Sequence, residues 1–349
     1  MAGASQEIAV ELAPSGQLSA IGSLDPSAYS RHALHGAQCA WVEKNCYADF
    51  WIEVLHAKGF EPLAMLPFVV NVDFEEDQWT FFKPSHDELR SLYGVKVHEL
   101  TMWRPLRDHV VEHLAMGRLV SMEVDAFGLP DTAGTDYQTK HSKTTIAINQ
   151  LDMTRRTLGY FHNAGYFELS GEDFDQLLSL ETPITSRSDL PLYAELITFI
   201  RPDAQSVTEM KRASLDIMRK QLQYVPETNP VQRFAQRFAR DLPWLQSNGL
   251  DHYHTWAFAG IRQWGSAFEL AAAWVDWMQD TLGPRSEEAK TAFNALSLDA
   301  KTLILKGARA VASKKPFDPV DQLAKTALVW QHAMDSLAAA VEHAFHQKT

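Results

Sequence analysis

Strand signals stop near residue 200, well before the chain ends. From about residue 30 to 200, helical and strand patterns of apolar residues alternate. After about residue 205 only the helical period persists. Five or six amphipathic helices are expected there, punctuated by Pro226, Pro230, Pro243, Gly249, Pro284, Pro316 and Pro319. A mixed part followed by a helical part predicts an α+β domain over 29–203 and an all-α domain over 204–349. Residues 1–28, rich in Ala, Ser and Gly, are expected to be a tail or a single edge strand at Ile8 to Leu12.

Local signals divide the first domain further. Asn45 is a good N-cap, and Tyr47, Phe50, Trp51, Val54 and Leu55 repeat on one helical face. Gly59 and Pro62 stop that helix. Strands are expected over Leu63–Phe74, broken at Pro67, and over Trp79–Lys83. Ser85 to Glu88 forms a capping-box pattern opening a short helix that Gly94 ends. Val95–Leu100 and Leu119–Val124 read as strands, with a helix between Pro105 and Gly117. A turn-rich loop, Gly128 to Lys140, leads into a hairpin of Thr144–Leu151 and Thr157–Phe161. Ser170 to Asp173 caps a helix, and Tyr193–Ile200 is the last strand.

Composition narrows the function classes. Hydrophobic residues at 46% and charged residues at 22% are ordinary for a globular protein, and 349 residues can bury a core without metal or disulfide staples. The net charge of −12 argues against a nucleic-acid partner. No apolar run approaches the ~20 residues of a membrane span, and no secretory pattern opens the chain. A cytoplasmic protein without membrane contact is expected. Two local charge reversals stand out. Residues 205–240 hold seven basic against three acidic residues, and 300–315 hold five basic residues and no acid. These are solvated helix faces or surfaces that steer an acidic partner. Trp256, Trp264, Trp274 and Trp277 are expected to build a helical core, with a substrate-arm groove as the lesser alternative. No P-loop, Gly-x-Gly-x-x-Gly or Gly-x-Ser-x-Gly pattern is present.

Cys46 is the leading chemical candidate. It falls at the first helical position behind Asn45, where the helix dipole and N–H groups favour a thiolate. A nucleophilic thiol needs a base, and the base needs an orienting group. His141, at the start of the hairpin, is placed to be that base. Asn163, beside His162 at the end of the return strand, or Asp152 at the end of the first strand, would orient it. A helix-borne Cys, then a strand-borne His, then a polar residue on the adjacent strand is the order of papain-like enzymes. The competing reading is an inert buried thiol. Cys39 lies ahead of the helix, without its dipole, and ranks below Cys46. His109-Val110-Val111-Glu112-His113 matches the H-x-x-E-H zinc pattern, but no clear third ligand follows it, so no metal is expected.

Three segments together resemble a bacterial family, domain-of-unknown-function family 1839. They are Asn45-Cys46-Tyr47-x-Asp49-x-Trp51-Ile52-Glu53, Glu123-x-Asp125 through Leu129-Pro130-Asp131-Thr132 to His141-x-Lys143-Thr144, and Gly159-Tyr160-Phe161-His162-Asn163-x-Gly165-Tyr166. Gly265-x-x-Phe268-Glu269-Leu270-Ala271-Ala272 fits as well. The layout is also similar to butirosin-type acyltransferases, papain-like enzymes with a helical C-terminal region. That similarity implies a papain-like fold in which a Cys-bearing helix packs on a mostly antiparallel sheet. It implies transfer of an aminoacyl or acyl group from a carrier-protein thioester to a small amine acceptor. Cys46 would be the nucleophile, His141 the base and Asn163 the orienting residue in place of an Asp, with Asp152 as the alternative. Asn45 or Gln38 would help hold the oxyanion, and Asp125 the acceptor amine. No resident cofactor is implied, because the phosphopantetheine arm belongs to the carrier protein. Two other expectations share the fold: a cysteine hydrolase (amidase, peptidase or thioesterase) and a non-catalytic carrier-protein-binding protein.

Overall fold

The computed structural model describes residues 16–178, 193–201 and 206–346. The Ile8 to Leu12 strand and the domain boundary at residue 203 lie outside the described residues. The strands are β1 (Leu18–Ser19), β2 (Phe74–Glu75), β3 (Gln78–Trp79), β4 (Val95–Glu99), β5 (Leu119–Asp125), β6 (Lys143–Asp152), β7 (Thr157–His162), β8 (Gly165–Ser170) and β9 (Ala194–Phe199). The first helices are α1 (Cys46–Ala57), α2 (His86–Tyr93), α3 (Leu106–Ala115) and α4 (Gly171–Leu178). The later ones are α5 (Val207–Gln221), α6 (Pro230–Asn248), α7 (Leu250–Ala259), α8 (Ile261–Trp277), α9 (Gln279–Leu282), α10 (Ser286–Ser313) and α11 (Val320–His346). This is an α+β protein with a helical C-terminal region.

The chain forms two compact units that interleave in sequence. One is Met1–Tyr29 with Lys96–Thr198, and the other is Ser30–Val95 with Phe199–Thr349. The cut differs from the linear 29–203 and 204–349 division, because Ser30–Val95, including α1, clusters with the C-terminal helices.

The first unit carries a seven-stranded sheet of order β4-β9-β5-β6-β7-β8, with β1 pairing β6 antiparallel. β5 through β8 and the β5–β9 pair are antiparallel. Alternation along the strands aims Val120, Met122 and Val124 of β5, and Ile146 and Ile148 of β6, at one core. Leu106, Val110 and Leu114 of α3 and Phe174 and Leu177 of α4 cover it. Each fully buried Leu, Ile or Val side chain is worth ~1.5–3 kcal/mol, so this layer holds the sheet in register.

The second unit is helical. Residues expected as the Leu63–Phe74 strand form a 3₁₀ stretch, Pro62–Asn71, followed by the two-residue β2. Pro62 and Pro67 lack the N–H a ladder needs, and the run is buried on every side, so it packs as a helix core. The expected Trp79–Lys83 strand shrinks to Gln78–Trp79. The expected capping box at α2 is also absent, for Ser85 makes no side-chain cap bond. The tryptophan cluster is core in part, for Trp256 and Trp277 are only partly buried. Trp264 and Trp274 are fully buried, and Trp79 stacks on Trp264 at 5.3 Å. Gly265 is required there, since a Cβ would lie 2.6 Å from the Trp41 ring and 2.7 Å from the Ala300 methyl. No helix among the described residues is long and apolar enough to cross a membrane.

Candidate functional site

The chemistry-bearing residues fall in two groups, one in each unit. In the helical unit, Cys46 is the first residue of α1. Asn45 caps it: Oδ1 accepts from the Ala48 N–H at 2.8 Å, while Nδ2 donates to the Phe82 carbonyl at 3.0 Å. Both ends of this amide are engaged. Gln38, the other oxyanion candidate, is exposed and donates Nε2 to the Ala33 carbonyl at 3.1 Å.

The start of α1 is anchored by a buried ionic cluster. Asp49 and Glu53, one turn apart on α1, both bond His35 from the preceding 3₁₀ turn, and all three are fully buried. Asp49 also accepts the Lys44 N–H at 2.7 Å. Burial works against a charged His35, but the hydrogen bonds its ring donates to Asp49 and Glu53 outweigh it and raise its pKa above the usual imidazole value. Arg262 of α8 stacks its guanidinium 3.4 Å above Phe258, and its buried Nε has no hydrogen-bond partner. Burial lowers the Arg262 pKa, while the charges of Asp49, Glu43 and Cys46 pull it back up. The thiol at the helix N-terminus therefore has a guanidinium within electrostatic reach.

Cys39 is chemically different. Its Sγ–H points at the Leu34 and Ala33 carbonyls, at 3.3 and 3.6 Å. Burial is the main cause that pushes its thiol up. Carbonyl oxygens disfavour a thiolate at Cys39. Neither cysteine is in a disulfide.

In the sheet unit, His141 stands just ahead of β6. Its Nδ1 meets Asp125 Oδ2 at 2.6 Å, and its ring stacks on Phe127 at 4.4 Å and 13°. Asp125 is fixed in turn by the N–H groups of Phe127 and Ser142, at 3.0 and 3.1 Å. Burial alone would raise the Asp125 pKa. The bonds from His141, Phe127 and Ser142 overcome this and hold the carboxyl below its usual range. Asp125 ends β5 opposite Lys143, and this register brings it beside His141. The expected orienting residues do other work. Asn163 is a corner of the β7–β8 turn at φ 43°, and Asp152 caps the β6–β7 turn by accepting the Arg155 N–H at 2.9 Å. Asp125, expected at the acceptor amine, is the aspartate on His141 in the structure.

A second histidine–aspartate pair lies deeper in the same unit. His162, at the end of β7, meets Asp131 Oδ2 through Nδ1 at 2.6 Å and Thr144 Oγ1 through Nε2 at 2.7 Å. Tyr160 donates to the same aspartate, and burial beside that charge drives its phenol pKa far above normal. The alternation of Tyr160 and His162 on one face of β7 was the available signal.

The zinc pattern lies on α3. His109 and His113 share a face with ring centroids 6.3 Å apart, and Glu112 is held by Arg104. Among the described residues, no group of three or more His, Cys, Asp or Glu could hold a metal.

The model of the DUF1839 N-terminal domain matches residues 30–199, and that of the DUF1839 C-terminal domain matches 207–339. The chain belongs to the DUF1839 family. Both halves of that family are thus present here, with Cys46, Asp125 and His141 in the N-terminal match and Arg262 in the C-terminal one. No curated protein matches the chain.

Proposed function

We propose that this DUF1839 protein is a cysteine-dependent acyltransferase. In this reading Cys46 takes an acyl or aminoacyl group from a carrier-protein thioester and passes it to a small amine. The observation that carries it is the N-terminus of α1: a capped first-turn thiol with the Arg262 guanidinium in electrostatic reach. Both features place positive electrostatic potential at the sulfur that would attack.

The Cys46 thiolate adds to the thioester carbonyl, and the carbonyl π pair moves to oxygen. The backbone N–H of Cys46 is assigned to that oxyanion, beside the Asn45 and Gln38 amides, each of which gives one N–H to a backbone carbonyl. Collapse breaks the bond to the carrier sulfur, which leaves as a thiolate. Exchange of one thioester for another is close to isoenergetic, so a thiol suits this donor better than an alcohol would. An amine then attacks the acyl-enzyme, Sγ departs, and the amine proton goes to a general base. His141, whose Nδ1 meets Asp125, is the base candidate of the sheet unit, and Nε2 is the nitrogen that would take a proton. The basic stretches at 205–240 and 300–315 suit an acidic carrier protein by charge.

Intact-protein mass spectrometry tests the reading. Wild type and Cys46→Ala are incubated with a panel of aminoacylated carrier proteins. A mass gain of one aminoacyl group, absent in Cys46→Ala, is expected. A carrier panel left loaded, with no adduct on the wild type, would overturn it. Unloading without an adduct, abolished in Cys46→Ala, would make the protein a thioesterase instead.

A further inference from the structure

The helical unit contains an open cleft of about 380 Å³. Leu34, Leu63, Ala273 and Trp277 give it apolar walls. The charged residues that line it are Lys44, Glu269 and Asp276, and each is already compensated. Lys44, fully buried, donates Nζ to the Leu34 carbonyl and lies 3.6 Å from Glu269. Glu269 accepts the N–H groups of Ala40 and Trp41, at 2.5 and 3.1 Å. Asp276 pairs with Lys290 at 2.7 Å. An ionic ligand would find no unmatched countercharge here, and placing a charge in a site without one is costly.

The remaining polar groups are neutral. His32 takes the Leu34 N–H on Nδ1 at 3.2 Å, which puts its one ring proton on Nε2. Burial and the neighbouring His56 push its pKa down to about 4, so it stays neutral around pH 7. The Nε2–H has no protein acceptor among the described residues. Gln38 spends Nε2 on the Ala33 carbonyl and keeps Oε1 as an acceptor. Cys39 lines the same space as a protonated thiol. One donor and one acceptor beside an apolar wall match the two faces of an amide.

We propose that this cleft binds an uncharged, amide-bearing molecule with an apolar body, the His32 Nε2–H donating to its carbonyl and Gln38 Oε1 accepting its N–H. The assignment does not depend on the acyltransferase reading. Cys39 supplies the readout, in full-length Cys46→Ser protein so that one thiol reports. Alkylation of Cys39 by iodoacetamide is followed by intact mass at neutral pH, with three probes of one shape. These are N-acetyl-leucinamide (neutral), leucinamide (cationic) and N-acetyl-leucine (anionic). The neutral probe is expected to protect Cys39 at a concentration about tenfold or more below either ion, corresponding to ~1.4 kcal/mol. Gln38→Ala, at an exposed position, should weaken that protection severalfold, and Ala273→Phe should abolish it by filling the cleft. Protection by an ion as good as by the neutral probe overturns the proposal, and so does no protection by any of the three.

Discussion

His141 and His162 each approach an aspartate through Nδ1 at the same 2.6 Å, yet the two pairs live in different solvents. The His141 side chain is 76% exposed and its aspartate 49%. His162 and Asp131 are 0% and 4% exposed. The second nitrogen separates them further. His162 Nε2 is taken by Thr144, while the ring of His141 is held from one side and stacked on Phe127. A pair distance by itself does not identify a base. A base must be oriented and reachable, and a buried pair with both nitrogens bonded is a structural tie. Its low-dielectric setting makes it costly to break.

Exchanging the two histidines for alanine should break the molecule in two different ways. His141→Ala is expected to lower aminoacyl transfer by about 10²–10⁴-fold, the range of a lost general base, with stability within ~0.5 kcal/mol of wild type. His162→Ala should destabilise by ~3–5 kcal/mol, because it leaves the buried Asp131 with Tyr160 but without its histidine. Chemical denaturation and single-turnover transfer on the same preparations check both. Equal stability loss in both variants would erase the distinction.

The aspartates sharpen the same contrast on a smaller scale. Asp125→Asn keeps the shape but removes the charge that holds the His141 ring, so transfer should fall while the unfolding midpoint stays put. Asp131→Asn should cost ~1–3 kcal/mol, since His162 and Tyr160 both bond that carboxylate. An Asp125→Asn protein with full transfer activity would return the orienting role to Asn163 or Asp152.

These pairs show what was legible in the sequence and what was not. Local signals read well. The Asn45 cap, the first-turn position of Cys46 and the β6–β7 hairpin depend on neighbours within a few residues, and the structure has them. The α+β character and the helical C-terminal region followed from the periods alone. The Leu63–Phe74 expectation failed because a short run buried on all sides has no face to betray its period. β8 is hard to see in the sequence because its two-residue turn, Asn163-Ala164, resembles the end of a strand, although Asn at a left-handed corner is a hairpin signal. The Asp125–His141 contact depends on the β5–β6 register, which pairs Asp125 with Lys143. No local pattern encodes that register. The interleaving of Ser30–Val95 with the C-terminal helices is likewise a long-range fact.

A third histidine tests the rule in the other unit. His35 is buried between Asp49 and Glu53, and its pKa is raised in the fold. A raised folded pKa binds a proton more tightly than the unfolded chain does. The stabilisation is therefore complete below the ordinary imidazole value of about 6.5 and is lost as pH rises through the folded value. The stability gap between wild type and His35→Gln should narrow as pH is raised through that window. A gap independent of pH between about 5 and 9 would mean that folding does not shift the His35 pKa, and a gap that shrinks toward low pH would mean that His35 is held neutral.

The smallest expected effect lies on the exposed pair. Phe127 stacks face to face on His141 and donates only its backbone N–H to Asp125. Phe127→Ala leaves that hydrogen bond in place and removes the stacked ring, a contact worth ~0.5–1.5 kcal/mol. His141 would keep its aspartate but lose one wall of its rotamer. Transfer should fall by roughly 3–10-fold, the rate equivalent of that energy, with the acyl-enzyme still forming and unfolding unchanged. Asp125→Asn combined with Phe127→Ala should lose less than the product of the two single losses, because both act through one ring. Strict multiplication of the two effects would show that Phe127 contacts the substrate instead of positioning His141.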